Sequence, residues 1–398
     1  MPINVPILFV EINYSNYIFV VGIIDEKENI KIIEKIIIKN EGIIENKFTN
    51  INQAQEIIKK NIHLIEDKLD CVFKEVTIII DNFEYSSINI SGFKKLNGFQ
   101  VLKENISYIL NSLKSVITEN EKEKSILHIF NSKNILDGTS IENLPIGLYG
   151  DFYSHELTFF LIRSNDLKNI KQIFNKSNID IKKVLIKNFI EGIQLINKDN
   201  NETFFKIKIS KEKSDISFFD KSSYRYVEHF KFRSNILLKD IEKGYSINHE
   251  IISNILLDKF FVNKDYKEDE YLNEKYFTND SYRKIRKKLI LDIANARIEE
   301  ISNIIFKKNI NINSFRKNCD KVYIIIEEED VFENFHNSFE SYFSKNDNFK
   351  TVSINDFQID QLIINAANLL FYGWKKEAIP VTQSKNSLIS KIFKSIFD

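Results

Sequence analysis

The chain has 398 residues, enough for two domains or one elaborate domain. Its 56 basic and 56 acidic residues cancel, which argues against a general nucleic-acid coat. An apolar share of 43% is ample for a core.

The N-terminus lacks a basic leader region and runs straight into a strand pattern, so no signal peptide is expected. Ile7 to Ile12 and Tyr17 to Ile24 read as strands around the turn sequence Asn13-Tyr14-Ser15-Asn16, and Ile30 to Lys39 as a third. Asn50 can cap a helix to Leu69, whose apolar residues step by three or four. Val76 to Ile80 is a continuous apolar run of the buried parallel kind. A small α/β insert follows: a strand from Tyr85 to Gly92, a helix from Val101 to Ile117, and strands Ile126 to Phe130 and Glu156 to Ile162 around a long loop. Asp166 can cap the next helix, through Phe174.

Val184 to Ile196 returns to the first half, and a second strand meander runs from Phe204 to Phe232. Helices are expected near His249 to Asp258 and Tyr282 to Phe306, a buried strand at Lys321 to Ile326 and a closing helix at Gln361 to Tyr372. Cys71 and Cys319 have no metal-type spacing and fit buried thiols in a reducing cytoplasm. Strand meanders followed by helices thus occur twice, with an insert in the first half. That is the outline of an α/β, actin-like (ribonuclease-H-type) duplicated fold.

Leu388, Ile389, Ile392, Phe393, Ile396 and Phe397 form one apolar stripe of a short terminal helix, with Lys391 and Lys394 on the other face. The polar stretch 375–386 tethers it. This pattern suits a helix lying in a lipid headgroup layer. Packing on the chain's own body or in a partner's groove is the plainer alternative. Six partly buried side chains contribute about 5 kcal/mol before ordering costs, so one copy is a weak anchor and linked copies a firm one. No apolar run reaches the ~20 residues of a spanning helix.

Several stretches resemble the bacterial cell-division family FtsA. Ile126-Leu127-His128-Ile129 leading into Leu144-Pro145-Ile146-Gly147-Leu148-Tyr149-Gly150 is similar to a run in that family's inserted subdomain. Asn165 to Ile170 and Ile179 to Ile181 resemble the helix and strand that follow it, and Glu41 to Asn46 the lead into its first long helix. Leu291 to Ile301 is similar to its I-x-A-R-x-E-E-I helix, Ala366 to Gly373 to its closing helix, and the tail to its membrane-targeting sequence.

The resemblance implies a first half in segments 1–82 and 164–200 with an insert at 83–163. It implies a second half at 201–233 and 316–374, a helical subdomain at 234–315, a linker at 375–386 and a membrane helix at 387–398. It further implies self-association into filaments, tethering of FtsZ to the inner membrane at the division site, contacts with other division proteins, and a cleft for ATP and Mg.

The nucleotide site departs from that family. Two β-turns should offer glycine N–H groups to phosphate, because a Cβ blocks close approach. The first turn aligns with Glu11-Ile12-Asn13-Tyr14, beside Ser15. The second aligns with Lys208-Ile209-Ser210-Lys211-Glu212-Lys213-Ser214-Asp215. The glycines are absent and Lys208 stands where a metal-holding Asp belongs. Glu327 and Glu328 stand at the adenosine turn. Either the site is lost, with Arg297 and Glu300 kept for packing, or Lys208, Lys211 and Lys213 hold phosphates as point charges.

No catalytic residue and no metal site is expected. Tyr224 to Phe232 interleaves aromatic and charged residues as a single-strand binder does, but alternation is also the ordinary strand pattern. The sequence is compatible with three functions: a membrane scaffold tethering FtsZ, a pilus-platform scaffold of the PilM type, and an actin-like protein that still binds ATP.

Overall fold

A computed structural model describes residues 5–26, 29–44, 47–81, 83–196, 202–210, 213–232, 235–277, 281–327, 331–344, 350–354 and 357–378. The chain divides into two compact units: Met1–Asn201 with Asp220–Tyr226 and Phe357–Asp398, and Glu202–Phe219 with Val227–Asp356.

The first unit opens with β1 (Ile7–Ile12), β2 (Asn16–Ile24), β3 (Ile30–Lys39) and the short pair β4 (Ile43–Ile44) and β5 (Lys47–Phe48). Helix α1 (Ile51–Leu69) follows, with Asn50 Oδ1 accepting from Gln53 N–H as expected of its cap. Gly42 sits at φ +88° just before it. A Cβ there would lie 2.4 Å from the Asn50 carbonyl oxygen, so only glycine lets the chain turn into the helix. Strand β6 (Glu75–Ile80) lies beside β1.

The insert contains β7 (Tyr85–Lys95), α2 (Lys103–Asn120), β8 (Lys124–Leu136), β9 (Thr139–Ile141) and β10 (Phe152–Arg163). Its sheet has the order β7-β10-β8-β9, and α2 buries Ile106, Ile109, Leu110, Leu113 and Ile117 against it. Then come α3 (Ser164–Asn175), β11 (Asp180–Ile186) and α4 (Lys187–Leu195).

The second unit contains β12 (Phe204–Ile209), β13 (Ser214–Asp220) up to Phe219, β14 (Ser223–Phe230) from Val227 on, α5 (Asn235–Tyr245), α6 (His249–Leu257) and α7 (Lys259–Val262). It continues with α8 (Lys287–Ser302), α9 (Asn313–Arg316), β15 (Lys321–Ile326), α10 (His336–Ser344) and β16 (Lys350–Ile354). Helix α11 (Ile359–Tyr372) belongs to the first unit.

The two main sheets have the same plan. In the first the order is β11-β6-β1-β2-β3, in the second β16-β15-β12-β13-β14. Each starts with an antiparallel meander and then adds two parallel strands beyond its first strand. This repeat confirms the duplicated α/β fold expected from the sequence.

Some expectations change. The insert's strands are longer than their apolar runs, because the Asp137-Gly138 turn, with φ +48° and +80°, closes a β8–β9 hairpin inside the expected loop. Asp166 does not cap α3. It lies in the first turn, and the cap residue is Arg163. Helix α8 starts at Lys287 rather than near Tyr282. Helix α11, expected in the second half, groups with the first unit, packing on α4 and β3 with Lys35 paired to Asp360 at 2.8 Å. Cys71 and Cys319 are half-buried rather than buried. The stretch assigned to a linker begins in an ordered strap: Lys376–Ala378 bridges to β8.

Candidate functional site

In the first unit the β1–β2 turn lies at the C-terminal ends of the parallel strands, the edge where open α/β sheets place ligands. The turn closes on itself. Asn13 Oδ1 accepts from the backbone N–H of Ser15 at 3.1 Å and of Asn16 at 2.7 Å. Asn13 Nδ2 donates to Glu11 Oε1 at 3.0 Å, and Asn40 Nδ2 donates to the Asn13 carbonyl at 2.9 Å. Two turn N–H groups that a phosphate cradle would aim at its ligand are therefore bonded to the chain's own carboxamide. Asn13, Tyr14 and Ser15 form a turn that the Asn13 side chain fills.

Glu11, at the end of β1, is buried and receives Lys187 Nζ at 2.8 Å. Lys187 opens α4 and also reaches Asp81 Oδ2 at 3.4 Å, so the ends of β1, β6 and β11 are tied by one ammonium group. Sequence reading missed Lys187. Its signal was its place directly after an apolar strand.

In the second unit Lys208 and Asp215 are register partners across the β12–β13 hairpin, and both are buried. Opposite charges in that position favour the pairing of the two strands. Ser210 N–H and Oγ both donate to the Lys213 carbonyl, at 3.1 and 2.7 Å. Glu327, just past β15, donates its N–H to the Ile209 carbonyl at 2.9 Å, which sets it beside that hairpin. Lys211 and Glu328 lie outside the described residues. Arg297 and Glu300 belong to the same unit: Arg297 on α8 binds Asp240 of α5 at 2.5 Å and Glu300 at 2.6 Å.

A second polar centre in the first unit was not foreseen. Helix α11 ends at Gly373, Trp374 Nε1 donates to the Ser222 carbonyl at 2.7 Å, and the chain turns back along β8. Asn131 N–H donates to the Lys376 carbonyl and Ala378 N–H to the Ile129 carbonyl, both at 2.7 Å. This places Glu377, 4% exposed, between His128 Nδ1 at 2.7 Å and Lys183 Nζ at 3.3 Å. Burial pushes its carboxyl up, but Lys183 and His128 outweigh that and hold it down to about 2.

Tyr224 is fully buried, stacked on Phe160 at 4.1 Å and parallel to Phe189 at 6.0 Å. The start of β14 is therefore not an open platform for bases. Among the described residues no group of His, Cys, Asp and Glu is arranged to hold a metal, and no helix is long and apolar enough to cross a membrane. The tail residues Leu388, Ile389, Lys391, Ile392, Phe393, Lys394, Ile396 and Phe397 lie outside the described residues.

The repeated five-strand sheets, with an insert between β6 and α3, define a protein of the actin-like fold. Among solved structures, the chain is similar to one titled as the PilM-PilN type IV pilus biogenesis complex. The TM-score is 0.52 and the identity 10%, over 93% of this chain and 98% of that one. It is also similar, at lower scores, to MreB 5 of Spiroplasma citri bound to AMPPNP (0.47, 10%, 92% and 96%). The ethanolamine utilization protein EutJ from Carboxydothermus hydrogenoformans gives 0.45 and 9%, over 92% and 88%. No family model and no curated protein matches the sequence.

Proposed function

We propose that this protein is an actin-fold scaffold rather than a working ATPase. It self-associates on the cytoplasmic face of the inner membrane through Leu388 to Phe397 and holds FtsZ filaments there together with other division proteins. The observation that carries the non-catalytic part is the β1–β2 turn, where Asn13 occupies the N–H groups of Ser15 and Asn16. The paired Lys208 and Asp215 positions support it, because a lysine register-matched to a carboxylate is a poor free phosphate clamp. The partner reading rests on the ordered FtsA-like motifs and the amphipathic tail. Its mechanism is avidity: each copy binds lipid weakly and linked copies bind it firmly.

A second reading, a pilus-platform scaffold of the PilM kind, is favoured by the structural likeness to PilM over nearly the whole chain. Vesicle co-sedimentation separates the two. The full chain and a chain lacking residues 384–398 are spun with anionic vesicles, with and without FtsZ and Mg-ATP. The first reading expects the full chain alone to carry FtsZ to the pellet without ATP. FtsZ left in the supernatant beside lipid-bound protein rejects it in favour of the second. Dependence on ATP rejects the non-catalytic part.

A further inference from the structure

We infer that the outer edge of β7 is a docking site for an extended, acidic and apolar segment of a partner protein, which pairs with it as an added strand of the insert's sheet. The inference is independent of the tail and of FtsZ.

Strand β7 runs eleven residues and is the last strand on its side of the sheet. It pairs with β10 in continuous register from Tyr85 to Lys95. On the far side of the sheet, β8 is already extended by Lys376–Ala378, so one edge of this sheet demonstrably accepts an added strand. The parity of β7 is fixed by the Leu96 N–H, which donates to the Asp151 carbonyl at 2.7 Å. By alternation, Ser91, Phe93 and Lys95 turn their N–H and C=O groups away from β10, toward the open edge. Their side chains are exposed as well.

The occupant's chemistry follows from what borders that edge. Phe93, 65% exposed, stacks on Phe152, 45% exposed, with ring centroids 5.3 Å apart. Beyond the strand end, Gln100 bridges to Tyr149, which keeps the exposed Phe99 and Tyr149 at the same end of the insert. An apolar or aromatic side chain of the incoming strand covers the Phe93–Phe152 pair. Lys94, on the face opposite Phe93 with its ammonium 4.3 Å from the centre of the Tyr108 ring, calls for carboxylates at the alternate positions of the incoming strand, and with Lys95 it disfavours edge-to-edge pairing of two identical chains. Main-chain bonds supply affinity and the alternate side chains selectivity.

The test uses the full chain and two synthetic peptides, one alternating Val or Phe with Glu and one with Lys in place of Glu. Hydrogen exchange is read on β7. The acidic peptide should slow exchange at Ser91, Phe93 and Lys95, and the lysine peptide should not. Ser91→Pro removes one outward N–H without touching the β10 ladder. It and Phe93→Ser should each weaken binding at least tenfold with unchanged thermal unfolding. If Ser91→Pro fails to fold, Phe93→Ser alone decides. No protection of β7 by the acidic peptide, or equal affinity in the folded variants, overturns the inference. So does Phe93-dependent binding of the 384–398 deletion to anionic vesicles, which makes lipid the occupant. Phe93-dependent dimerisation in sedimentation also overturns it, making a second copy the occupant.

Discussion

Glu377 and Lys183 face each other with both side chains 1% exposed, 194 residues apart in sequence. The second carboxylate oxygen receives His128 Nδ1–H, and Lys183 also donates to the Leu369 carbonyl at 3.4 Å. Strap, insert, β11 and α11 thus meet at one ionised group. An ion pair of this kind is weak evidence for stability, since desolvation offsets attraction. Its consequence is register: a strap shifted by one residue on β8 would bury Lys183 without a counter-charge.

Glu377→Gln should therefore cost about 3–5 kcal/mol, because it leaves Lys183 uncompensated. Denaturant unfolding measures the loss. Adding Lys183→Met to Glu377→Gln should recover much of it. A double variant no better than the single one rejects the pairing as the cause.

His155 gives a pH dependence of known sign. Burial lowers its pKa to about 4, and neither ring nitrogen has a hydrogen-bond partner. The unfolded chain takes up this proton near pH 6.5 and the folded chain only near 4, so stability falls as pH drops through that window. The loss is on the order of 3 kcal/mol by the acid end. His155→Phe should flatten the fall between pH 6.5 and 4.5, in unfolding curves taken beside the parent. An unchanged pH slope contradicts the assignment.

Asn13→Ala removes the acceptor for two turn N–H groups and the donor to Glu11. The expected cost is about 1–3 kcal/mol. Calorimetric titration of the parent with Mg-ATP should give no binding heat. A saturable heat would show that a nucleotide site survives the filled turn.

Phe393→Asp should move the protein from vesicle pellet to supernatant while its unfolding curve stays that of the parent. Continued sedimentation with vesicles would exclude the tail as the membrane contact.

Much of the fold was legible because its patterns are local. The alternation and apolar runs of β1, β2, β3, β6 and β15, and the Asn50 cap of α1, lie within a few residues of the groups they bond. Helix α5 was missed because Leu237, Leu238 and Ile241 make too short a stripe among charged residues. Helix α10 and strand β16 were missed as short elements, the latter only half-buried. Asn13-Tyr14-Ser15-Asn16 was readable as a turn, and the loss of glycine there as the loss of a cradle. The strap was not readable: Lys375 to Glu377 is locally a polar tether, and nothing within ten residues reveals that Glu377 is matched to Lys183.

The strap also fixes how mechanical load enters the molecule. Tension on the chain beyond Ala378 does not fall on the end of α11. It falls first on the two β8 hydrogen bonds at Ile129 and Asn131 and on the ion contacts of Glu377. A pull from the C-terminus is therefore felt by the insert before it is felt by the closing helix, and the strap acts as a strain relief for the body behind it.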